Sequence, residues 1–118
     1  MAVRRRALAE ITVLQASGEF WGGEETDQLR DAILNEAAAG NTRLLLDLSD
    51  CSMMNSTAIG VLVEGYRNYA ARSGVIRLCG LQRKMTSALV VAKLINIFGH
   101  HPTEAEALAA FAESPAGA

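Results

Sequence analysis

The chain has 118 residues, of which 50% are hydrophobic, 20% are charged and only 5% are aromatic. This length and composition predict one globular domain with an aliphatic core and exclude an intrinsically disordered chain. The formal net charge of -2 leaves no excess of basic side chains to neutralise phosphates, which argues against sequence-independent binding to nucleic acid.

The pattern of the amino-terminal residues is not typical of a signal peptide. Its basic cluster at 4–6 is followed by an apolar stretch that polar residues such as Glu10 and Gln15 interrupt. No run approaches the roughly 18 apolar residues that a membrane span needs. Cys51 and Cys79 lack metal-ligand spacing and are expected to be free, buried thiols. We therefore expect a cytoplasmic protein that does not insert into a membrane.

The first half of the chain predicts three strands and one helix. Two strands come before the helix, and the continuous apolar run after it is typical of a strand covered on both faces. The helix begins with an acidic turn after Gly22-Gly23 and ends at Gly40. In chain order these predicted elements are an edge strand at 3–6, a strand at 11–16, a helix at 24–39 and a strand at 44–48.

The second half predicts three helices alternating with two strands. Asn55 suits the amino-terminal cap of the first of these helices, because its side chain can accept a bond from a free backbone N–H. Gly74 closes that helix. The remaining predicted elements are a strand at 75–79, a helix at 82–93, a short strand at 97–98 and a last helix from Pro102-Thr103.

This alternation predicts an α/β domain with right-handed crossovers. We expect a mixed, largely parallel sheet of roughly four to five strands with about four helices. Residues 1–113 would form the single domain, and 114–118 a flexible tail. Binding sites in such sheets lie at the carboxyl ends of strands, and residues 50–56 fall at such a point.

Four segments in order resemble the STAS domains of anti-sigma-factor antagonists, the switch proteins of sporulation and stress responses. TVLQASGEF resembles the family's second strand with its Gly-Glu turn. LLLDLSDCSMMNSTAIGVLVEGY resembles the signature segment, in which an apolar strand, an Asp and a short loop precede Asp-Ser-Ser/Thr-Gly, an apolar residue and Gly. GVIRLCGLQRKM resembles the next strand and the start of the third helix, and INIFGHHPTEAEAL resembles the family's ending. The resemblance spans nearly the whole chain and implies the STAS fold.

The resemblance also implies a protein-binding regulator of transcription, with no catalytic residue, cofactor or metal of its own. In the family, the anti-sigma factor is an ATP-dependent serine kinase that phosphorylates the first Ser of the signature motif, which matches Ser56. The unmodified antagonist binds this kinase and frees the sigma factor, the modified form lets go, and a phosphatase resets it. Asp47 matches the Asp that closes the third strand, and Gly60 the last Gly of the motif. The chain itself would be a monomer or a weak dimer.

The expected docking surface is the start of the second predicted helix. Thr57 is the second-choice phosphoacceptor there. Of Met53 and Met54, we expect one in the core and the other exposed, where a Met suits an adaptable contact. Burial is expected for Trp21, and exposure beside Ser56 would make it a candidate hot spot. The predicted binding surface comprises Trp21, Met54, Asn55, Ser56, Thr57 and Ala58.

Three positions depart from the family pattern and leave alternatives open. Asn55 stands where Asp is usual, Ala58 where Gly is usual, and Phe20-Trp21 where an apolar residue followed by Asp is common. The lost charge and the added methyl group bear on recognition by a kinase. One alternative is therefore a STAS scaffold that is not phosphorylated, in a lipid-transport, transporter or stressosome assembly. In the plainest alternative, residues 55–57 only begin a helix.

Two further classes fit the sequence less well. A two-component receiver domain would use Asp47 as its acceptor, with an acidic pair after its first strand and a Lys after its last. The chain has neither, because its first clear strand runs into Ser17-Gly18 and Gly99 leads into two histidines. An enzyme could draw on His100, His101, Cys51 or Ser56, but nothing in the sequence couples a base to a nucleophile.

Overall fold

Five strands and four helices alternate along residues 2–113, the part of the chain that the computed structural model describes. The predicted tail at 114–118 lies outside these residues. The strands are β1 (Val3–Leu8), β2 (Ile11–Phe20), β3 (Arg43–Met54), β4 (Val75–Cys79) and β5 (Gly99–His101). The helices are α1 (Glu24–Ala38), α2 (Ser56–Ala71), α3 (Arg83–Val91) and α4 (Glu104–Glu113).

The strands form one sheet in the order β1-β2-β3-β4-β5. β1 and β2 are an antiparallel hairpin, whereas β2 to β5 run parallel and are joined by α1, α2 and α3. This arrangement confirms the predicted mixed, largely parallel sheet. It also brings the carboxyl ends of β2 and β3 together, because Phe20 and Met54 are register partners. The chain therefore leaves both strands at the same edge of the sheet.

The helices cover both faces of the sheet unequally. The larger apolar core packs α1, α2 and α3 against one face. A smaller core packs α4 against the other face, through Ala107 and Phe111. Leu44 and Leu46 belong to the larger core and Leu45 to the smaller, and all three are fully buried. The apolar run of β3 is thus covered on both sides, as predicted. No described helix is long and apolar enough to span a membrane.

Several element boundaries differ from the predicted ones. β2 continues to Phe20 and β3 to Met54, because their polar ends pair with each other across two register shifts. Asp47 therefore lies within β3 and does not close it. The last strand is formed by residues 99–101 and not by 97–98, and Ile97 is 41% exposed. β4 has the predicted bounds, and α1 ends one residue before the predicted position.

Candidate functional site

Ser56 is the first residue of α2, directly after the carboxyl end of β3. Asn55 is the amino-terminal cap, in an extended conformation, and its side-chain oxygen accepts the N–H of Ala58 at 3.0 Å. The predicted cap is therefore confirmed. Ser56 and Thr57 are exposed. Their hydroxyl groups lie at the positive end of the α2 dipole, where an added anion is tolerated.

The side chain of Asn55 also holds the loop between β2 and α1. Its Nδ2 donates to the carbonyl oxygen of Trp21 at 2.8 Å, and its backbone N–H donates to the carbonyl oxygen of Phe20 at 3.0 Å. Gly22, with φ +89°, packs so closely that an added Cβ would lie 3.2 Å from the Cβ of Thr57. An Asp at position 55 could accept the N–H of Ala58 but could not donate to Trp21. The Asn at this position thus ties two loops of the site together.

Trp21 is 53% exposed, so the expected burial of this side chain is wrong. Successive side chains of a strand point to opposite faces, and Phe20, fully buried, takes the inward position at the end of β2. Trp21 then leaves the core as the chain turns toward α1. Because its carbonyl oxygen is bonded to Asn55, Trp21 lies in the loop beside the start of α2 and remains in the candidate surface.

Two members of the predicted surface are in the core. Met54 is 2% exposed and Ala58 is fully buried. Met54 points inward at the last position of β3, whereas its neighbour Met53 is half-buried and faces solvent. Ala58 lies on the face of α2 that packs against the sheet. The surface is therefore corrected to Trp21, Met53, Asn55, Ser56 and Thr57. The expectation that one of the two methionines is in the core is confirmed for Met54, whereas Met53 is half-buried and not exposed.

A groove of about 580 Å³ lies beside Ser56, between the start of α2 and α3. Sequence reasoning missed the contribution of α3 to this site. The sequence of α3 carried a signal for this contribution. Arg83 and Lys84 are two adjacent cations at the start of the helix, and Val90 and Val91 are two adjacent apolar residues at its end. The lining residues are Met53, Ser56, Ile59, Arg83, Lys84, Ser87, Ala88, Val91 and Ala92.

The side chains of Cys51, Cys79 and Asp47, which were also candidates for reactive groups, are buried within the fold. Cys51 and Cys79 are free and buried, as predicted. Burial raises the pKa of the Cys51 thiol to about 11 and that of Cys79 to about 12, so both are protonated near neutral pH and poor nucleophiles. Asp47 is 9% exposed and accepts the N–H of Ser49 at 3.0 Å.

The two histidines lie on β5, which β4 separates from β3 in the sheet. Burial, and then the positive charge of Arg77, lower the pKa of His101, whose Nε2 is 3.1 Å from Nη1 of Arg77. His101 therefore favours its neutral form, packed beside a guanidinium group. Within residues 2–113, the structure contains no group of three or more His, Cys, Asp or Glu side chains placed to hold a metal ion.

Asn55→Ala is expected to lower the free energy of unfolding by about 1–2 kcal/mol, because the helix loses its cap. Asn55→Asp should keep the cap and lose only the bond to the Trp21 carbonyl oxygen. Trp21 is the only tryptophan, so its fluorescence and its quenching by acrylamide report on the loop. We expect greater quenching in Asn55→Asp with most of the stability retained, measured by urea denaturation. Ser56→Ala, at the exposed neighbouring position, is the control, and wild-type quenching in Asn55→Asp would contradict the role of this bond.

The chain matches one known domain family and is similar to several solved structures. The STAS domain family profile matches residues 3–107. Similar solved structures include an anti-sigma-factor antagonist (STAS) domain protein from Planctomyces limnophilus, with 24% identity and a TM-score of 0.81, covering 93% of this chain and 97% of that one. An anti-sigma factor antagonist from Mycobacterium paratuberculosis has 22% identity and a TM-score of 0.80, with 92% and 91% covered. The Bacillus cell fate determinant SpoIIAA in its phosphorylated form has 22% identity and a TM-score of 0.74, with 92% and 98% covered. No curated protein sequence matches the chain significantly.

Proposed function

This chain belongs to the STAS domain family, and from that premise we propose that it is an anti-sigma-factor antagonist whose binding is switched by phosphorylation of Ser56. The unmodified chain binds an anti-sigma factor that is also a serine kinase, and so frees a sigma factor in the cytoplasm. Phosphorylated Ser56 ends this binding, and a phosphatase restores the unmodified chain. The chain acts on transcription through protein binding, without catalysis of its own.

The observation that carries this proposal is the exposed hydroxyl of Ser56 at the capped start of α2. A kinase must enclose the acceptor hydroxyl, so an exposed helix end beside a flanking loop suits a substrate residue. Thr57 is also exposed, but its side chain packs toward Gly22, which makes Ser56 the preferred acceptor. The similarity to SpoIIAA, solved in a phosphorylated form, supports a switch by phosphorylation.

Co-expression with the cognate anti-sigma kinase, followed by intact-mass measurement, tests the switch. We expect an addition of about 80 Da, one phosphoryl group, which Ser56→Ala abolishes and Thr57→Ala retains. Calorimetry with the unmodified chain should show direct binding to the kinase. An unchanged mass in the wild type, or an addition that persists in Ser56→Ala, would contradict phosphorylation at this residue.

The alternative function is a STAS scaffold that binds its partner without a Ser56 switch. Position 55 favours it, because the neutral Asn55 side chain replaces the usual Asp and is already bonded to Ala58 and Trp21. Such a module would use the same surface and would keep its mass. Binding to a partner with unchanged affinity in the presence of ATP and the kinase would support this alternative.

A further inference from the structure

The groove between the start of α2 and α3, called here the α2–α3 groove, has an apolar floor that is buried at Ile59 and half-buried at Met53 and Ala88. Met53, Ile59 and Ala88 line it. Val91, at its far end, is 82% exposed, more than any other large apolar side chain among the described residues. Val90 is also 53% exposed but does not line the groove. The apolar side chains alone do not define a contact surface, and the charge at the rim of the groove is the second observation that the inference needs.

The rim of the groove carries positive charge that no carboxylate of the described residues neutralises. Arg83 and Lys84 both line the groove and are exposed. Among the described residues four other arginines form salt bridges with carboxylates, whereas Arg4, Arg67 and Arg72 form none. The groove is distinguished by two adjacent unpaired cations that border apolar side chains. The paired arginines are Arg5, Arg6, Arg30 and Arg43, with Glu36, Glu104, Glu64 and Glu10 as their partners.

We propose that the α2–α3 groove seats an acidic–apolar segment of the anti-sigma factor. An apolar side chain of that segment packs on Met53 and Val91, and a carboxylate pairs with Arg83 and Lys84. The charge and polarity of the groove complement such a segment, because unpaired cations beside an apolar floor favour an anion joined to an apolar group. This inference rests on the proposed function and adds the chemistry of the contact.

The positions of Ser56, Arg83 and Lys84 also give a physical reason why phosphorylation would release the anti-sigma factor. Ser56 lines the groove together with Arg83 and Lys84, so a phosphate on Ser56 adds nearly two negative charges beside the two cations. Phosphate is a strong acceptor of charge-assisted hydrogen bonds. It therefore competes with the partner's carboxylate for Arg83 and Lys84 and repels that carboxylate from the groove.

Calorimetry with the anti-sigma kinase that binds the wild-type chain tests the contact. Arg83→Gln with Lys84→Gln is expected to weaken binding about tenfold or more and to reduce its dependence on salt. Arg67→Gln with Lys93→Gln, the same change of charge at exposed residues outside the groove, should change the affinity less than about twofold. Val91→Gln should weaken binding about tenfold, whereas Val90→Gln, at the adjacent exposed valine, should not.

The outcomes separate this inference from the proposed function. Equal affinities for the two double variants, or wild-type affinity in Val91→Gln, would overturn the inference while wild-type binding still supports the proposed function. Failure of the wild-type chain to bind any anti-sigma kinase would overturn the proposed function itself. A dimer in sedimentation equilibrium that Val91→Gln dissociates would assign the groove to a second copy and overturn the inference.

The competition for the cations can be tested without a partner. Phosphoserine placed at position 56 by genetic incorporation can be titrated by ³¹P NMR. We expect the second pKa of this phosphate to be lower, by about half a unit, in the otherwise wild-type chain than in Arg83→Gln with Lys84→Gln. The control pair Arg67→Gln and Lys93→Gln should leave that pKa near the wild-type value. Equal values in all three proteins would overturn the competition.

Discussion

Phosphoserine at position 56 is expected to lower the affinity for the anti-sigma kinase about a hundredfold and to leave the fold unchanged. Near neutral pH the phosphate carries almost two negative charges. In a docked interface these charges lose water or meet like charges, and a penalty of roughly 3 kcal/mol corresponds to about a hundredfold in affinity. Ser56 is exposed, so the modification displaces no side chain of the core.

The effect on stability should have the opposite sign. An anion at the first residue of a helix interacts favourably with the helix dipole, typically by about 0.3–1 kcal/mol. Phosphorylated chain should therefore unfold in urea at the same concentration as the unmodified chain or slightly above it. Binding and stability together distinguish a change of surface charge from a change of fold.

Ser56→Glu and Ser73→Glu provide a matched pair at the two ends of α2. Both serines are exposed, and Ser73 follows the last residues of the helix. Ser56→Glu should weaken binding, though less than phosphate does, whereas Ser73→Glu should leave binding intact and slightly destabilise the chain. Similar affinities for the two variants, or backbone amide shifts that spread through the sheet in Ser56→Glu, would contradict a switch confined to the surface.

The sequence predicted those features that local signals determine. An acidic first turn and Gly40, with φ +84°, mark α1, and Asn55 marks the start of α2. The carboxyl-terminal halves of β2 and β3 were not predicted, because residues such as Gly18, Asp50 and Ser52 are poor strand formers alone. They are extended because the two segments pair with each other, a tertiary effect that overrides propensity.

The exposure of the candidate residues was predicted where it depends on position along the chain and missed where it depends on orientation. The exposure of Ser56 and Thr57 follows from their place directly after the cap, whereas the assignment of Ser56 as phosphoacceptor came from the resemblance to the family and stays a prediction. The burial of Met54 and Ala58 depends on which faces of β3 and α2 meet the core, and a shift of one residue exchanges inside and outside. The role of Arg83 and Val91 depends on α3 lying beside α2, which no local pattern in the sequence specifies.

Glu36→Gln is expected to lower the free energy of unfolding by about 2 kcal/mol at pH 7. Glu36 lies in α1 and is 7% exposed. Its carboxylate accepts Nε of Arg5 at 2.6 Å, Nη2 of Arg5 at 3.2 Å and Nδ2 of Asn41 at 2.6 Å. These bonds connect β1, α1 and the loop before β3. Hydrogen bonds to a buried charged group contribute about 1.5–3 kcal/mol, and the half-exposed Arg5 recovers part of the loss through water.

The pH dependence of the stability difference between wild type and Glu36→Gln follows from the direction in which the pKa of Glu36 is shifted. The bond from Arg5, then that from Asn41, hold the pKa of Glu36 below its ordinary value of 4.5. A carboxyl group with a lowered pKa in the folded state contributes stability above the pKa of the unfolded state. That contribution is lost as the pH falls through the lower, folded value. The difference between wild type and Glu36→Gln should thus be constant from about pH 6 to 7 and shrink below about pH 4.5.

Urea denaturation of both proteins from pH 7 to pH 3 measures this difference. Glu24→Gln, the same substitution at an exposed residue of the same helix, should change the stability by less than about 0.5 kcal/mol. A difference between wild type and Glu36→Gln that persists unchanged at pH 3 would contradict the ionised Glu36 as its source. Asn41 precedes the start of β3, whereas Ser56 follows its end. Folded Glu36→Gln should therefore bind the anti-sigma kinase as the wild type does, because the network stabilises the hairpin end of the sheet and not the surface at α2.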